Sequence, residues 1–176
     1  MKELIVISAI GSDRTGLVLD VSKAILECGG NILESRMTAL GSEFAVLLLV
    51  SGHWHTLTKL ESEFKKLSEA ANLTISIRRT TERPARPDVL TYSVDAVCLD
   101  QPGVLYNLAG FFSTRGIDIG DVSTRNFNAI HTGASMFAVQ LIIHVPSKIQ
   151  IASLREEFME LCDRMNLDAI LEPFKT

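Results

Sequence analysis

Two short stretches carry residue types from which a small-molecule site can be built. Ser12, Asp13, Arg14, Thr15, Gly16 and Leu17 follow the apolar run that ends at Ile10, and Asp100, Gln101, Pro102, Gly103 and Val104 follow one that ends at Leu99. Each stretch opens an apolar helical pattern. A chain passing from a strand into a helix has several N–H groups without an intrahelical partner, and an aspartate at that point can cap them. Gly16 and Gly103 let the backbone take an unusual dihedral or pass close to a neighbour, and Pro102 stands where a missing N–H costs least. The same bare donors, with a glycine clearing the approach, suit a small anion such as a carboxylate. From the residues alone, Asp13 and Asp100 can serve as caps or belong to an anion site.

Other chemistries find less material. "HWH" at His53, Trp54 and His55 supplies two of the three or four ligands that a zinc site needs, so Trp54 is expected to anchor a helix start with both imidazoles at the surface. "GSDRTG" has the spacing of a phosphate loop, but Leu17 stands where that loop needs Lys. His131 and His144 complete the histidines. No Ser, Cys or Asp lies in a catalytic pattern with a base and an orienter, so no enzyme and no cofactor are expected. Cys28, Cys98 and Cys162 are far apart and form no CxxC pair, which fits a reducing compartment and small core residues. The N-terminal run holds Glu3 and lacks a cleavage site. No stretch reaches the ~18 apolar residues of a membrane span, and the cytoplasm is the expected location.

These stretches sit in an internal duplication. At an offset of 87, Asp13 falls on Asp100, Gly16 on Gly103, Gly29 on Gly116 and Ile32 on Ile119. The helical stripe Leu17, Val18, Val21, Ala24 and Ile25 then meets Val104, Leu105, Leu108, Phe111 and Phe112 in phase. At an offset of 93, Phe44, Ala45 and Val46 fall on Phe137, Ala138 and Val139, after six residues inserted within "NFNAIHTG". At 94, Leu57, Leu60, Phe64, Leu67 and Ala71 meet Ile151, Leu154, Phe158, Leu161 and Met165.

Each half therefore reads as strand, helix, strand, strand, helix, strand. In the first half the strands are expected near 3–9, 31–40, 43–52 and 73–79, with helices near 16–28 and 54–71; the second half repeats the order from Leu90 to Phe174. The implied class is α+β, two ferredoxin-like βαββαβ units with antiparallel sheets and helices on one face. The expected domains are 1–80 and 88–176, joined by a linker at 81–87 whose Pro84 and Pro87 favour an extended spacer. Edge strands of such sheets can pair within or between chains, which leaves a homodimer open.

The net charge of −4 argues against a general nucleic-acid binder, and neither "HTLTKLESEFKKLSEA" nor "ASLREEFMELCDRM" presents a basic helix face. Arg78, Arg79, Arg83 and Arg86 form the one basic cluster. It is read as a wet linker or a docking strip for an acidic partner.

"DRTGLVLDVSKAILECGGNI" and "DQPGVLYNLAGFFSTRGIDI" resemble the ACT domain signature, in which an Asp-x-x-Gly turn, an apolar helix and a glycine turn precede Asn or Asp and then Ile. The resemblance covers both halves. It implies a module that binds amino acids, with Asn31, Ile32 and Asp118 joining the two turns as ligand residues. Thr15 departs from the proline common at that position. An amide at Asn31 can donate and accept, whereas ionised Asp118 can only accept, so the first repeat is the better candidate for a zwitterion. "SAIGSDRTG", "CGGNILESRMTALGSEF", "LLVSGHWHTL" and "RRTTERPARP" resemble stand-alone tandem ACT regulators of transcription. That likeness implies a protein that senses glycine and restrains a separate DNA-binding activator of glycine-cleavage genes. A second reading is an amino-acid-sensing ACT regulator that acts on a metabolic enzyme by protein contact.

Overall fold

The computed structural model describes residues 3–84 and 88–174. The chain divides into two compact units, Met1–Pro84 and Ala85–Thr176, and the division falls inside the segment read as a linker. The first unit runs β1 (Glu3–Ser12), α1 (Leu17–Glu27), β2 (Asn31–Leu40), β3 (Glu43–Gly52), α2 (Trp54–Ala71) and β4 (Leu73–Thr80). The second runs β5 (Val89–Leu99), α3 (Val104–Ser113), β6 (Asp118–Asn128), β7 (Ser135–Pro146), α4 (Ile151–Met165) and β8 (Asp168–Pro173). Their sheets have the orders β2-β3-β1-β4 and β6-β7-β5-β8, with antiparallel neighbours throughout. These are two ferredoxin-like units.

Alternation along the strands sets one buried face per sheet. Ile5, Ile7 and Ala9 of β1, with Val46, Leu48 and Val50 of β3, meet Val21 and Ile25 of α1 and Leu57, Leu60 and Phe64 of α2. In the second unit Val94, Ala96, Leu141 and Ile143 meet Leu108, Phe111 and Phe112 of α3 and Leu154 and Phe158 of α4. Phe111, Phe112 and Phe158 form a ring cluster with centroids 5.1 to 5.7 Å apart.

The duplication extends to backbone detail that composition does not show. Both α2 and α4 end on an asparagine in the left-handed region, Asn72 and Asn166, each with φ 51°, a conformation that satisfies the last helix carbonyls. Both β2 and β6 carry a bulge, between Ile32 and Glu34 and between Ile119 and Asp121. Gly11 is required by a close crossing: a Cβ there would lie 2.6 Å from the Leu73 side chain.

Two expectations are corrected. Strand β1 runs on to Ser12, because the β3 and β4 partners continue beside it. Val18 and Leu105 lie outside the helical stripes and are exposed, since each is one step round from the buried Leu17 and Val104. Trp54 opens α2 with its ring half exposed and 5.0 Å from that of His55, and both imidazoles beside it lie at the surface.

Candidate functional site

The turn between β1 and α1 is built around Gly16, which stands at the helix entry with φ 90°, a conformation that a side chain would strain. Gly103 holds the same place before α3 with φ 87°. Neither entry has a side-chain cap, so capping, one of the two roles that the residues left open for Asp13 and Asp100, is not the one they play. The reason is geometric. Glycine itself occupies the capping position, and the aspartates lie three residues earlier, where their own N–H groups bond Ser42 O at 3.0 Å and Ser135 O at 2.9 Å. Leu17 N–H donates to Arg14 O at 3.4 Å and Asp20 N–H to Gly16 O at 2.9 Å, which leaves the N–H groups of Val18 and Leu19 for solvent or a ligand.

Asp13, Arg14, Gly16 and Leu17 line an open cleft of about 500 Å³ together with Val18, Leu19, Ser22 and Phe44. Arg14 Nη2 lies 2.6 Å from Asp20 Oδ2 in a pair that both solvent-facing side chains share. Thr15 sits exposed in the turn, and Ser12 ends β1. Sequence reasoning missed Asp20, Ser22 and Phe44. Asp20 lies one turn into the helix, opposite Arg14, and its charge among apolar neighbours in "LVLDVSKAILE" was the available signal.

The second turn copies the backbone and changes the chemistry. Gln101 stands where the first unit has Arg14, and its Nε2 donates to Met165 O at 3.0 Å. Asn107 stands in the place of Asp20 and donates to Gly103 O at 2.9 Å. Asp100 Oδ2 accepts from Asn126 Nδ2 at 2.8 Å, whereas Ala39 occupies the corresponding position in β2. Pro102 and Val104 complete this turn, with Val104 buried.

Asn31 and Asp118 do not join the turns of their own units. Asn31 pairs with Ser51, while Ser12 pairs with Glu43. Those two partners lie eight positions apart along β3, a span of about 27 Å at strand rise. Asp118, opposite His144, and Leu99, opposite Met136, are separated in the same way along β7. Strands β1 and β2 run in the same direction, so the start of one lies far from the end of the other. Ile32 packs against the core.

Residues 3–78 match the family model described as "ACT domain". The glycine cleavage system transcriptional repressor of Escherichia coli (strain K12) is 30% identical over 162 residues, which cover 92% of this chain and 85% of that protein. A crystal structure provisionally described as a glycine cleavage system transcriptional repressor superposes with a TM-score of 0.74 at 26% identity over 100% of this chain and 99% of the other. A protein of unknown function from Galdieria sulphuraria shares the fold, with a TM-score of 0.80 at 24% identity, 99% of this chain and 100% of that one. The chain belongs to the tandem ACT family of glycine cleavage system transcriptional repressors.

Membership gives this ACT tandem a regulatory role. Within the basic cluster, Arg78 and Arg79 do not belong to one strip. Arg78 and Arg79 lie in β4, where successive side chains point to opposite faces. Arg79 turns to the helix side and pairs with Glu3 at 3.1 Å and Glu61 at 3.6 Å, while Arg78 lies opposite Val6 on the open face. Arg83 is exposed beyond β4, and Arg86 lies outside the described residues.

No group of three or more His, Cys, Asp or Glu among the described residues could hold a metal ion. No described helix is long and apolar enough to cross a membrane. All three cysteines are free and buried. Burial pushes their thiols above the ordinary value, that of Cys162 to about 11, so each is an inert core residue in this ACT tandem.

Proposed function

We propose that this chain responds to a small amino acid, glycine, and represses glycine-cleavage genes by restraining a separate DNA-binding activator. The observation that carries the reading is the Arg14 guanidinium beside the Gly16 turn, in a chain related to a transcriptional repressor. A ligand carboxylate would face the first-turn N–H groups of α1 and Arg14, where the helix dipole adds positive potential. Asp13 on the same cleft offers an acceptor to the ammonium. Arg14 is held by a solvent-exposed ion pair worth at most about 1 kcal/mol, so it can exchange Asp20 for a ligand at little cost. The second turn lacks a cation, and its amides are engaged with backbone.

The test is a thermal-shift screen against the amino acids. A ligand at a hundred times its dissociation constant adds about 2.7 kcal/mol to stability. Glycine is expected to raise the melting temperature of the native chain and to lose that effect in Arg14→Gln; a screen in which no amino acid acts would overturn the ligand reading.

Indirect action has separate support. The apolar faces of the helices cover the sheets, and the net charge is −4. The chain alone is expected to leave a promoter fragment unshifted at physiological salt. Nanomolar, sequence-specific retention without another protein would contradict the reading. Contact with the activator is assigned to the basic segment after β4, and Arg83→Ser should weaken repression in a reporter assay; unchanged repression removes that segment.

A further inference from the structure

The two units differ at the end of the sheet away from the Gly16 and Gly103 turns. In the second unit, His144 of β7 pairs with Asp118 of β6 and with Thr91 of β5. Its ring lies over Gly120 at the β6 bulge, where an added Cβ would come within 2.5 Å of Nε2, and its Nδ1 is 3.4 Å from Thr91 Oγ1. One imidazole fills that place on the sheet face that the helices leave open.

At the offsets of the duplication, His144 falls on Ser51, Gly120 on Leu33 and Thr91 on Leu4. A hydroxymethyl group therefore replaces the ring. Leu33 borders the space from the equivalent bulge, but it is 52% exposed and does not fill it. What remains is an open cavity of about 770 Å³, bounded by Leu4, Leu33, Ser51 and Thr80 and, beside the strand ends, by Glu3 and Glu82. Its size suits a small organic ligand.

Ser51 is the observation that points to a ligand. It is 5% exposed, and its hydroxyl has no hydrogen-bond partner among the described residues. No described polar atom that is cut off from the surface is left unpaired, so Ser51 Oγ opens on the cavity that it lines. Buried polar groups are as a rule hydrogen-bonded, and here the partner has to come from outside the chain. The rim supplies a charge as well. Glu3 is engaged by Arg79 at 3.1 Å, whereas Glu82 forms no ion pair among the described residues. The cavity thus offers apolar walls for a ring, one hydroxyl for a ring heteroatom and one carboxylate for a cation.

We propose that this cavity binds a small heteroaromatic amine of the imidazole class, its ring against Leu4 and Leu33, a ring nitrogen on the Ser51 hydroxyl and its ammonium at Glu82. The His144 ring is the template, since it occupies the matching place in the second unit. Ser51 lies eight positions along β3 from Glu43, the partner of Ser12, so the site is separate from the cleft at Arg14 and does not depend on the glycine reading.

The test is an NMR titration of the full chain with histamine, using ethylamine as a cation that lacks the ring. Histamine is expected to shift the amides of Leu33, Ser51 and Thr80 saturably, and ethylamine is not. Ser51→Ala should raise the dissociation constant about threefold to tenfold, the effect of one hydrogen bond. Ser51→His/Leu33→Gly copies the second unit, fills the cavity with the chain's own ring and should abolish binding, with circular dichroism and melting as fold controls. In reverse, His144→Ser empties the matching place and should add a second saturable site at Thr91 and Gly120. A native chain without saturable shifts overturns the proposal. So does ethylamine that binds as tightly as histamine, a Ser51→Ala chain of unchanged affinity, binding that survives in Ser51→His/Leu33→Gly, or a folded His144→Ser chain that gains no site.

Discussion

The turn before α1 and the turn before α3 have nearly the same backbone, with glycine at φ 90° in one and 87° in the other, and share almost no polar contact. In the first, Arg14 and Asp20 form an ion pair in water. In the second, the corresponding Gln101 and Asn107 are bound to the backbone at Met165 and Gly103, and Asp100 is held by Asn126. Duplication preserved what the glycine dictates and left the side chains free to diverge. An exposed ion pair can be opened at small cost, whereas each amide bond to backbone must be replaced before that turn takes a ligand. The first turn is therefore poised to exchange partners and the second is closed on itself.

The largest effect that sharpens the contrast lies in the cores. Phe158 is fully buried and touches Phe111 and Phe112, while Phe64 is the one phenylalanine in the first unit's buried cluster. Phe64→Ala should cost about 3–5 kcal/mol, and Phe158→Ala should cost more by about 0.5–1.5 kcal/mol for each ring pair lost. Calorimetry checks both size and place: each variant should lower only the transition of its own unit, and equal losses would mean that the ring cluster adds nothing.

Next in size is ligand affinity. Arg14→Gln copies the residue type of the second turn, and loss of a hydrogen bond to a charged group costs about 1.5–3 kcal/mol, or roughly 10-fold to 150-fold in affinity. Gln101→Ala should leave the affinity unchanged. Equal losses in a calorimetric titration would mean that the two turns work alike. A smaller difference comes from the thiols, two in the second core and one in the first. Burial raises the folded Cys162 pKa to about 11. Its contribution is thus fully present below the unfolded value of about 8.5 and is lost as pH rises towards 11. Stability should fall through that window, and less steeply in Cys162→Ala.

The fold was legible because each half repeats two independent periods, alternation in the strands and three-four spacing in the helices, and a shared offset makes chance agreement difficult. The site was legible only in part. Gly16 and Gly103 marked the turns, since a positive φ leaves few other residue types. Asn31 misled because sequence order says that it starts a strand but not at which end of the sheet; direction and register supply that. Arg78 and Arg79 misled as neighbours, because a strand sends them to opposite faces. Asp20 and Asn126 stayed hidden because their partners lie 6 and 26 residues away in sequence, beyond any helical or strand period.

The smallest expected effect isolates that last contact. Asp100 accepts from Asn126 across the gap between the turn and β6 at 2.8 Å, at an exposed position, and such a bond contributes about 0.5–1.5 kcal/mol. In the first unit Ala39 holds the position that corresponds to Asn126, and an alanine offers Asp13 no side-chain amide. Asp100→Ala should therefore destabilise the second unit by about 1 kcal/mol, whereas Asp13→Ala should stay within about 0.5 kcal/mol, the range of an ordinary surface change. The exchange can also be run backwards. Ala39→Asn places the missing donor opposite Asp13 and should recover a few tenths of a kcal/mol in the first unit, a gain that Asp13→Ala abolishes in a double-mutant cycle. If Asp13→Ala alone costs as much as Asp100→Ala, the first turn holds its aspartate by another route, and the contrast between an open turn and a closed one fails at its simplest point.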